Sequence, residues 1–192
     1  MTRKHITDDN KEVEVLCVPW FPQQEESSYC FPYSVWMVLE YFKNAYNNEI
    51  IKKKIPHMDV EEIAKICRTN KIQGTRINED LIKALNKQIE SLQFELKIEV
   101  KFKDIKKQIE DKLPCIVLYD GTYLLYKTPS KSGHAGVVIS IDEDHVFLNN
   151  PWLGAEVSIE KIDFNDAWEI EDKRAIFIKP KYQTKLKDEN AN

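Results

Sequence analysis

The stretch YCFPYSVWMVLEYF, Tyr29 to Phe42, decides how the rest of the chain must be read. It is apolar almost all round, with Glu40 its single charge, and a helix of that kind has to be buried. Pro32 falls where a helix has its first turn, and there its missing N–H costs nothing. Cys30 then sits at the N-terminal tip. Peptide dipoles leave partial positive charge at that tip, which favours a thiolate over a thiol. A buried helix that aims a cysteine from its positive end points to a nucleophile.

Outward from this stretch, the chain has 192 residues, enough for one domain with a substantial core. A hydrophobic fraction of 42% beside a charged fraction of 31% is that of a soluble globular protein. The net charge is −4 and the lysines are spread along helical faces, which excludes a nucleic-acid or anionic-membrane footprint. No run approaches the roughly 18 apolar residues of a membrane span. The start, MTRKHITDDNKEVEV, lacks the apolar core of a secretory signal, so a cytoplasmic protein without membrane insertion is expected.

Upstream of the buried helix, residues 1–12 read as a flexible N-terminus, and Val13–Val18 as a short strand stopped by Pro19 and Pro22. Asn44–Asn48 ends the helix. Downstream, Asp59 caps a helix whose Val60, Ile63, Ala64 and Cys67 share a face. Asn78 caps another, with Leu81, Ile82 and Leu85 inward. Phe94–Val100 alternates like a strand, and Asp104–Leu113 is an amphipathic helix broken by Pro114. Cys115–Tyr119 is a short continuously apolar run, hence a central strand, with Tyr123–Tyr126 as a possible extension. Ala135–Ile141 and Val146–Leu148 form a hairpin. Ser158 can cap a helix over Ile159–Trp168, and Ala175–Ile178 is a last strand. Residues 181–192 read as a flexible tail, leaving 13–180 as one domain. Helices first and strands later imply an α+β fold, a central buried helix packed on an antiparallel β-sheet.

The cysteines Cys17, Cys30, Cys67 and Cys115 form no CxxC or zinc-type spacing. Cys17, Cys67 and Cys115 sit in apolar settings and read as small buried hydrophobes. A nucleophilic Cys30 needs a base, and the base an orienter. His5, His57 and His145 lie in a terminus, a loop and a turn. His134 opens the best strand in the chain, where a base can be held accurately. Asn150, at the end of the partner strand, lies at the same end of the hairpin. The two positions differ by sixteen. They share a face if the turn has an odd number of residues, or if a bulge shifts register. The three-residue turn Asp142–Asp144 is the expected device, and it sends Asn149 to the other face. Acyl transfer also needs oxyanion donors: the Cys30 N–H is one, and Gln23 and Gln24 both qualify for the other.

The order Gln, Cys, His, Asn, with the cysteine opening a buried helix, resembles the papain-like cysteine peptidases. The closer likeness is to the peptidase C39-like group, related to the bacteriocin-leader peptidases. It rests on CFPYSVWMVLEYF at residues 30–42, Gly74-Thr75, the strand after Pro114, Gly133-His134 and Asn150-Pro151-Trp152, and it spans about residues 14–180. The resemblance implies a papain-like fold and a thiol peptidase acting on peptide or protein substrates, without metal or organic cofactor. It makes Cys30 the nucleophile, His134 the general base and acid, and Asn150 the orienter. A glutamine six residues before the cysteine lines the oxyanion hole, which selects Gln24, and Trp152 covers the Asn150–His134 contact. Phe31 departs from the usual glycine and narrows the space beside the sulfur. Asn150 stands where many relatives have aspartate. Two other readings use the same residues: acyl transfer of the transglutaminase or isopeptidase kind, and a non-catalytic peptide-binding module on a peptidase scaffold.

Overall fold

The computed structural model describes residues 1–7, 10–24, 28–130 and 132–181. In chain order the elements are strands β1 (Thr2–Ile6) and β2 (Glu12–Leu16), then helices α1 (Cys30–Glu40), α2 (Glu49–Lys54), α3 (Val60–Ile66) and α4 (Glu79–Gln88). Next come β3 (Leu92–Lys97), α5 (Phe102–Glu110), β4 (Cys115–Asp120), α6 (Gly121–Tyr126), β5 (Gly133–Ile141), β6 (His145–Asn150), β7 (Gly154–Glu160), α7 (Lys161–Glu169) and β8 (Ala175–Pro180). The main sheet is antiparallel throughout, in the order β3-β8-β4-β5-β6-β7. The fold is therefore α+β, with the early helices laid on a later sheet.

The sheet is covered on both faces, and β4 shows why its sequence does not alternate. All six of its residues are buried. Ile116 and Leu118 face the core built by α1 to α4, while Cys115, Val117 and Tyr119 face the core beneath α5 and α7. A strand dry on both sides favours a continuous apolar run, here Cys115 to Tyr119, and the buried Asp120 that ends it accepts from the Tyr123 and Ser130 N–H groups. Helix α1 lies at the centre of the first core, where Val35, Met37, Val38 and Leu39 are at most 1% exposed. Each such side chain stabilises the fold by about 1.5–3 kcal/mol relative to exposure, so burial fixes where the tip of α1 lies. Beyond Glu40 the helix widens into one π-type turn over Tyr41–Ala45, closed by the Tyr46 N–H on the Tyr41 carbonyl at 2.9 Å.

Several expectations need correction. Residues 2–6, where no strand was expected, form β1, which pairs with β2 along its whole length, and its Arg3 and His5 both contact the Glu156 carboxylate. The tail expected over 181–192 lies, from residue 182 on, outside the described residues. Tyr123–Tyr126 does not extend β4. The Asp120 carboxylate caps a helix there, accepting from the Tyr123 N–H at 2.9 Å, and local capping overrides the β-propensity of the tyrosines. Ser158 caps nothing and pairs with Phe147 inside β7, so the helix starts only at Lys161. Helix α2 was not expected; the Asn48 side chain starts it by accepting from Ile50 and Ile51. Asp59, with a reciprocal bond from Glu62, and Asn78 cap α3 and α4 as their sequences predict.

Candidate active site

Cys30 is the first residue of α1, and no side chain caps that helix end. The first turn is short of donors because Pro32 has none to offer. The Phe31 N–H and, from β5, the Ala135 N–H point at the Cys30 sulfur instead. Ser34 closes the turn behind, its hydroxyl donating to the Cys30 carbonyl at 2.9 Å. The Phe31 ring is 1% exposed and belongs to the core below the tip. It also lines the cleft beside Cys30.

His134 is the second residue of β5, directly opposite Tyr119 of β4. Its ring hydrogen-bonds Cys30 on one side. On the other, Nε2 lies 2.9 Å from Asn150 Oδ1. The tautomer follows from the network. Asn150 Oδ1 also accepts from the N–H groups of Trp152 at 2.8 Å and Leu153 at 3.0 Å, so it is the carbonyl oxygen of the amide. An oxygen that cannot donate obliges Nε2 to carry the proton. Nδ1 is then the ring atom that faces Cys30. The amide nitrogen of Asn150 donates to the Tyr119 hydroxyl at 2.7 Å. Asn149 points to the opposite face, bonding the Val18 carbonyl and the Glu156 N–H, as expected.

The strands meet on this face for a reason other than the expected one. Ile141 pairs with Val146 and Ser140 with Phe147, a register that leaves four residues in the connection. Between Val138 and Ser140 the register shifts, so that Val138 opposes Leu148 and Val137 opposes Asn149. Ile139 is the extra residue of a bulge, and the bulge supplies the parity that the Asp142–Asp144 turn does not.

Electrostatics follow the geometry. Burial opposes ionisation of Cys30, but the charge and hydrogen bond of His134, with the Ala135 and Phe31 N–H groups, hold the thiol below the ordinary cysteine value. Burial likewise pushes His134 down, and the Cys30 thiolate, with bonds from Cys30 and Asn150, raises it above the ordinary imidazole value. Each partner favours the other's charged form. Burial pushes Cys67 and Cys115 the other way, up to about 12. All four cysteines are free, so none is a disulfide partner.

The site opens into a cleft of about 770 Å³ between the Ile72–Ile77 loop and the start of β5. Gln23 lines it; Gln24 is exposed, does not line it, and its backbone N–H serves the Tyr33 hydroxyl. The segment leading to the glutamines is fastened at Trp20, Phe21 and Gln23. Phe21 stacks on Trp36 of α1 at 4.0 Å. The Gln23 N–H bonds the Pro151 carbonyl at 2.8 Å, and Trp20 Nε1 bonds the Asn150 carbonyl at 2.8 Å. The Trp152 ring lies 6.3 Å from that of His134 and remains 58% exposed. Sequence reasoning missed Tyr119, Trp20 and Gly121. A Cβ on Gly121 would meet His134 Cβ at 3.0 Å. Their partners lie far along the chain, so no local signal marks them. His5, His57 and His145 lie away from the cleft lining. Among the described residues, no group of three or more His, Cys, Asp or Glu is placed to hold a metal ion, and no helix is long and apolar enough to cross a membrane.

Residues 15–176 match the model of the "Peptidase_C39 like family". No curated protein sequence matches at a significant level. Among solved structures, a Bacillus anthracis protein described as a C39-like peptidase superposes with a TM-score of 0.59 at 15% identity, covering 88% of this chain and 97% of that one. A double glycine motif protease from an AMS/PCAT transporter, in complex with the leader peptide, gives 0.59 at 20% identity, covering 86% and 94%. The peptidase domain of Streptococcus ComA, a bi-functional ABC transporter of a quorum sensing pathway, gives 0.56 at 19%, covering 85% and 98%. At these identities the likeness is one of fold.

Proposed function

Because this chain belongs to the peptidase C39-like family, we propose that it is a thiol peptidase in which Cys30 is the nucleophile, His134 the general base and acid, and Asn150 the orienter. The observation that carries the reading is the placement of the His134 ring, bonded to Cys30 on one side and 2.9 Å from Asn150 Oδ1 on the other. The Cys30 thiolate adds to the carbonyl carbon of the scissile amide, and its negative charge passes to the carbonyl oxygen. That oxygen is held by the Cys30 backbone N–H and by the side-chain amide of Gln23. We assign this role to Gln23 and not to Gln24, because Gln23 lines the cleft. His134 gives its Nδ1 proton to the leaving amine as the C–N bond breaks, and a thioester remains. Nδ1 then takes a proton from water, whose oxygen attacks the thioester and releases the acid and the thiolate.

Substrates are proposed to be peptides. Support comes from the open cleft beside the sulfur and from a structural neighbour that is in complex with a leader peptide. The binding-module alternative is motivated by Phe31, which lines the cleft beside the sulfur, and peptide binding without cleavage would favour it.

The test is labelling and turnover together. Wild-type protein is expected to take up iodoacetamide at Cys30 near neutral pH and to cleave members of a peptide library, and Cys30→Ala to do neither. A Cys30→Ala protein that kept either at the wild-type level would overturn the assignment. Incorporation of an added amine into the products would favour acyl transfer over hydrolysis.

A further inference from the structure

Tyr119 carries a hydroxyl at a place where packing asks for none. The side chain is fully buried in β4, its ring meeting His134 edge-on at 5.4 Å and Phe164 at 5.7 Å. Phenylalanine would make those contacts as well. Burying a hydroxyl is unfavourable unless it is hydrogen-bonded, and this one accepts from Asn150 Nδ2 at 2.7 Å. The bond completes the fixation of the Asn150 amide. Oδ1 is anchored by the N–H groups of Trp152 and Leu153, both reached through the turn that follows β6. An amide held at its oxygen alone can still pivot about that atom. A second anchor at the nitrogen sets its plane and directs the oxygen at His134 Nε2. An acceptor on the nitrogen also draws negative charge onto the oxygen, strengthening it as a partner for an imidazolium.

Resting on the peptidase reading above, we infer that Tyr119 is a positioning residue for the Cys30–His134 pair and acts through the Asn150 amide. It orients that amide from the strand next to His134, so that three neighbouring strands, β4, β5 and β6, each supply one member of a single hydrogen-bonded row. The titratable groups around the imidazole are Cys30 on α1 and Tyr119 on β4, with the Glu171–Arg174 ion pair beside Gly133. Tyr119→Phe alters only one of these.

The test follows the His134 ring directly, by long-range 1H–15N spectra of histidine-labelled protein through a pH titration. Tyr119→Phe is expected to lower the His134 midpoint by about one pH unit, a tenfold loss of imidazolium at fixed pH. Asn150→Ala is expected to lower it too, and adding Tyr119→Phe to Asn150→Ala to lower it no further. An unmoved midpoint in Tyr119→Phe would overturn the inference, as would a full additional shift in the double variant. If Tyr119→Phe fails to fold, 3,5-difluorotyrosine at position 119 keeps the hydroxyl but weakens it as an acceptor. The midpoint should then fall by less, in the same direction, and no movement counts against the role. Alkylation of wild-type Cys30 at pH 6 separates the two levels of argument. Without rapid alkylation, the thiolate–imidazolium reading fails and the Tyr119 role with it. With rapid alkylation and an unmoved midpoint, the Tyr119 role fails alone.

Discussion

Asn150 Oδ1 lies 2.9 Å from Nε2 of His134, a residue sixteen positions earlier, because β5 carries one extra residue, Ile139, within its pairing with β6. Without Ile139 as the extra residue, the alternation of a pleated strand would send the two side chains to opposite faces. Asn150 then could not accept from the imidazole, and the ring would lose the bond that assigns its proton to Nε2. The site's acid–base behaviour is thus set by a bulge 5 residues along β5 from the histidine it serves.

The first prediction concerns pH. Cys30 is held below the usual cysteine value, so its thiolate survives to lower pH than an ordinary thiol and is lost only as pH falls through that lowered value. His134 is held above the usual imidazole value, so it stays able to protonate a leaving amine until pH rises through the raised one. Iodoacetamide uptake at Cys30 should therefore remain fast at pH 6, while Cys67 and Cys115, near 12, stay unlabelled in the folded protein. Peptide mass mapping after timed alkylation from pH 4 to 9 measures it. A Cys30 rate that rises with pH like that of free cysteine would contradict the paired state.

The second separates the two glutamines. Removing one oxyanion donor costs about 10²–10³ in kcat in enzymes of this chemistry. Gln23→Ala is expected to lose turnover on that scale while KM changes little. Gln24→Ala, whose side chain is exposed outside the cleft lining, should stay near wild type. Steady-state kinetics on any cleaved library peptide decides between them, and the opposite ranking would restore Gln24.

The third tests how tightly His134 is seated. A methyl group at Gly121 would lie 3.0 Å from His134 Cβ and 3.4 Å from Cγ, closer than packed carbons sit. The histidine must give way. The shift needed is a few tenths of an ångström, where a displacement of about 1 Å costs about 10²-fold in rate. Gly121 opens α6, so alanine there also gains up to about 1 kcal/mol of helix propensity, against about 1–3 kcal/mol for overpacking. Gly121→Ala should then lose activity several-fold with a small change in Tm. Full activity at an unchanged Tm would show that the ring has more room than the structure gives it.

Much of the fold was legible in local pattern. Asp59 and Asn78 announce their helices because a cap acts on N–H groups within three residues. The continuous apolar run of β4 announces a strand dry on both faces. Tyr123–Tyr126 misled because its tyrosines favour strands, while the Asp120 cap that makes the segment helical also accepts from Ser130, ten residues on. Ser158 misled for the converse reason. It has the chemistry of a cap, but pairing with β6 holds it extended. In the site, Cys30, His134 and Asn150 could be nominated from residue type and position. Which glutamine lines the cleft could not, because spacing counts residues and says nothing of the direction in which each one faces.

By itself the sequence determined that Tyr29–Phe42 is a buried helix with a cysteine at its positive end, that helices precede an antiparallel sheet, and that a histidine and an asparagine close one hairpin. Those follow from apolar periodicity, capping and turn residues, all of which act within a few positions. Tertiary structure alone decided that a bulge sets the hairpin's parity, that Gln23 lines the cleft, and that the Tyr119 hydroxyl holds the Asn150 amide. Each of these joins atoms that only strand pairing and packing bring within reach, and hydrogen bonds of about 3 Å leave no trace in the order of residues along the chain.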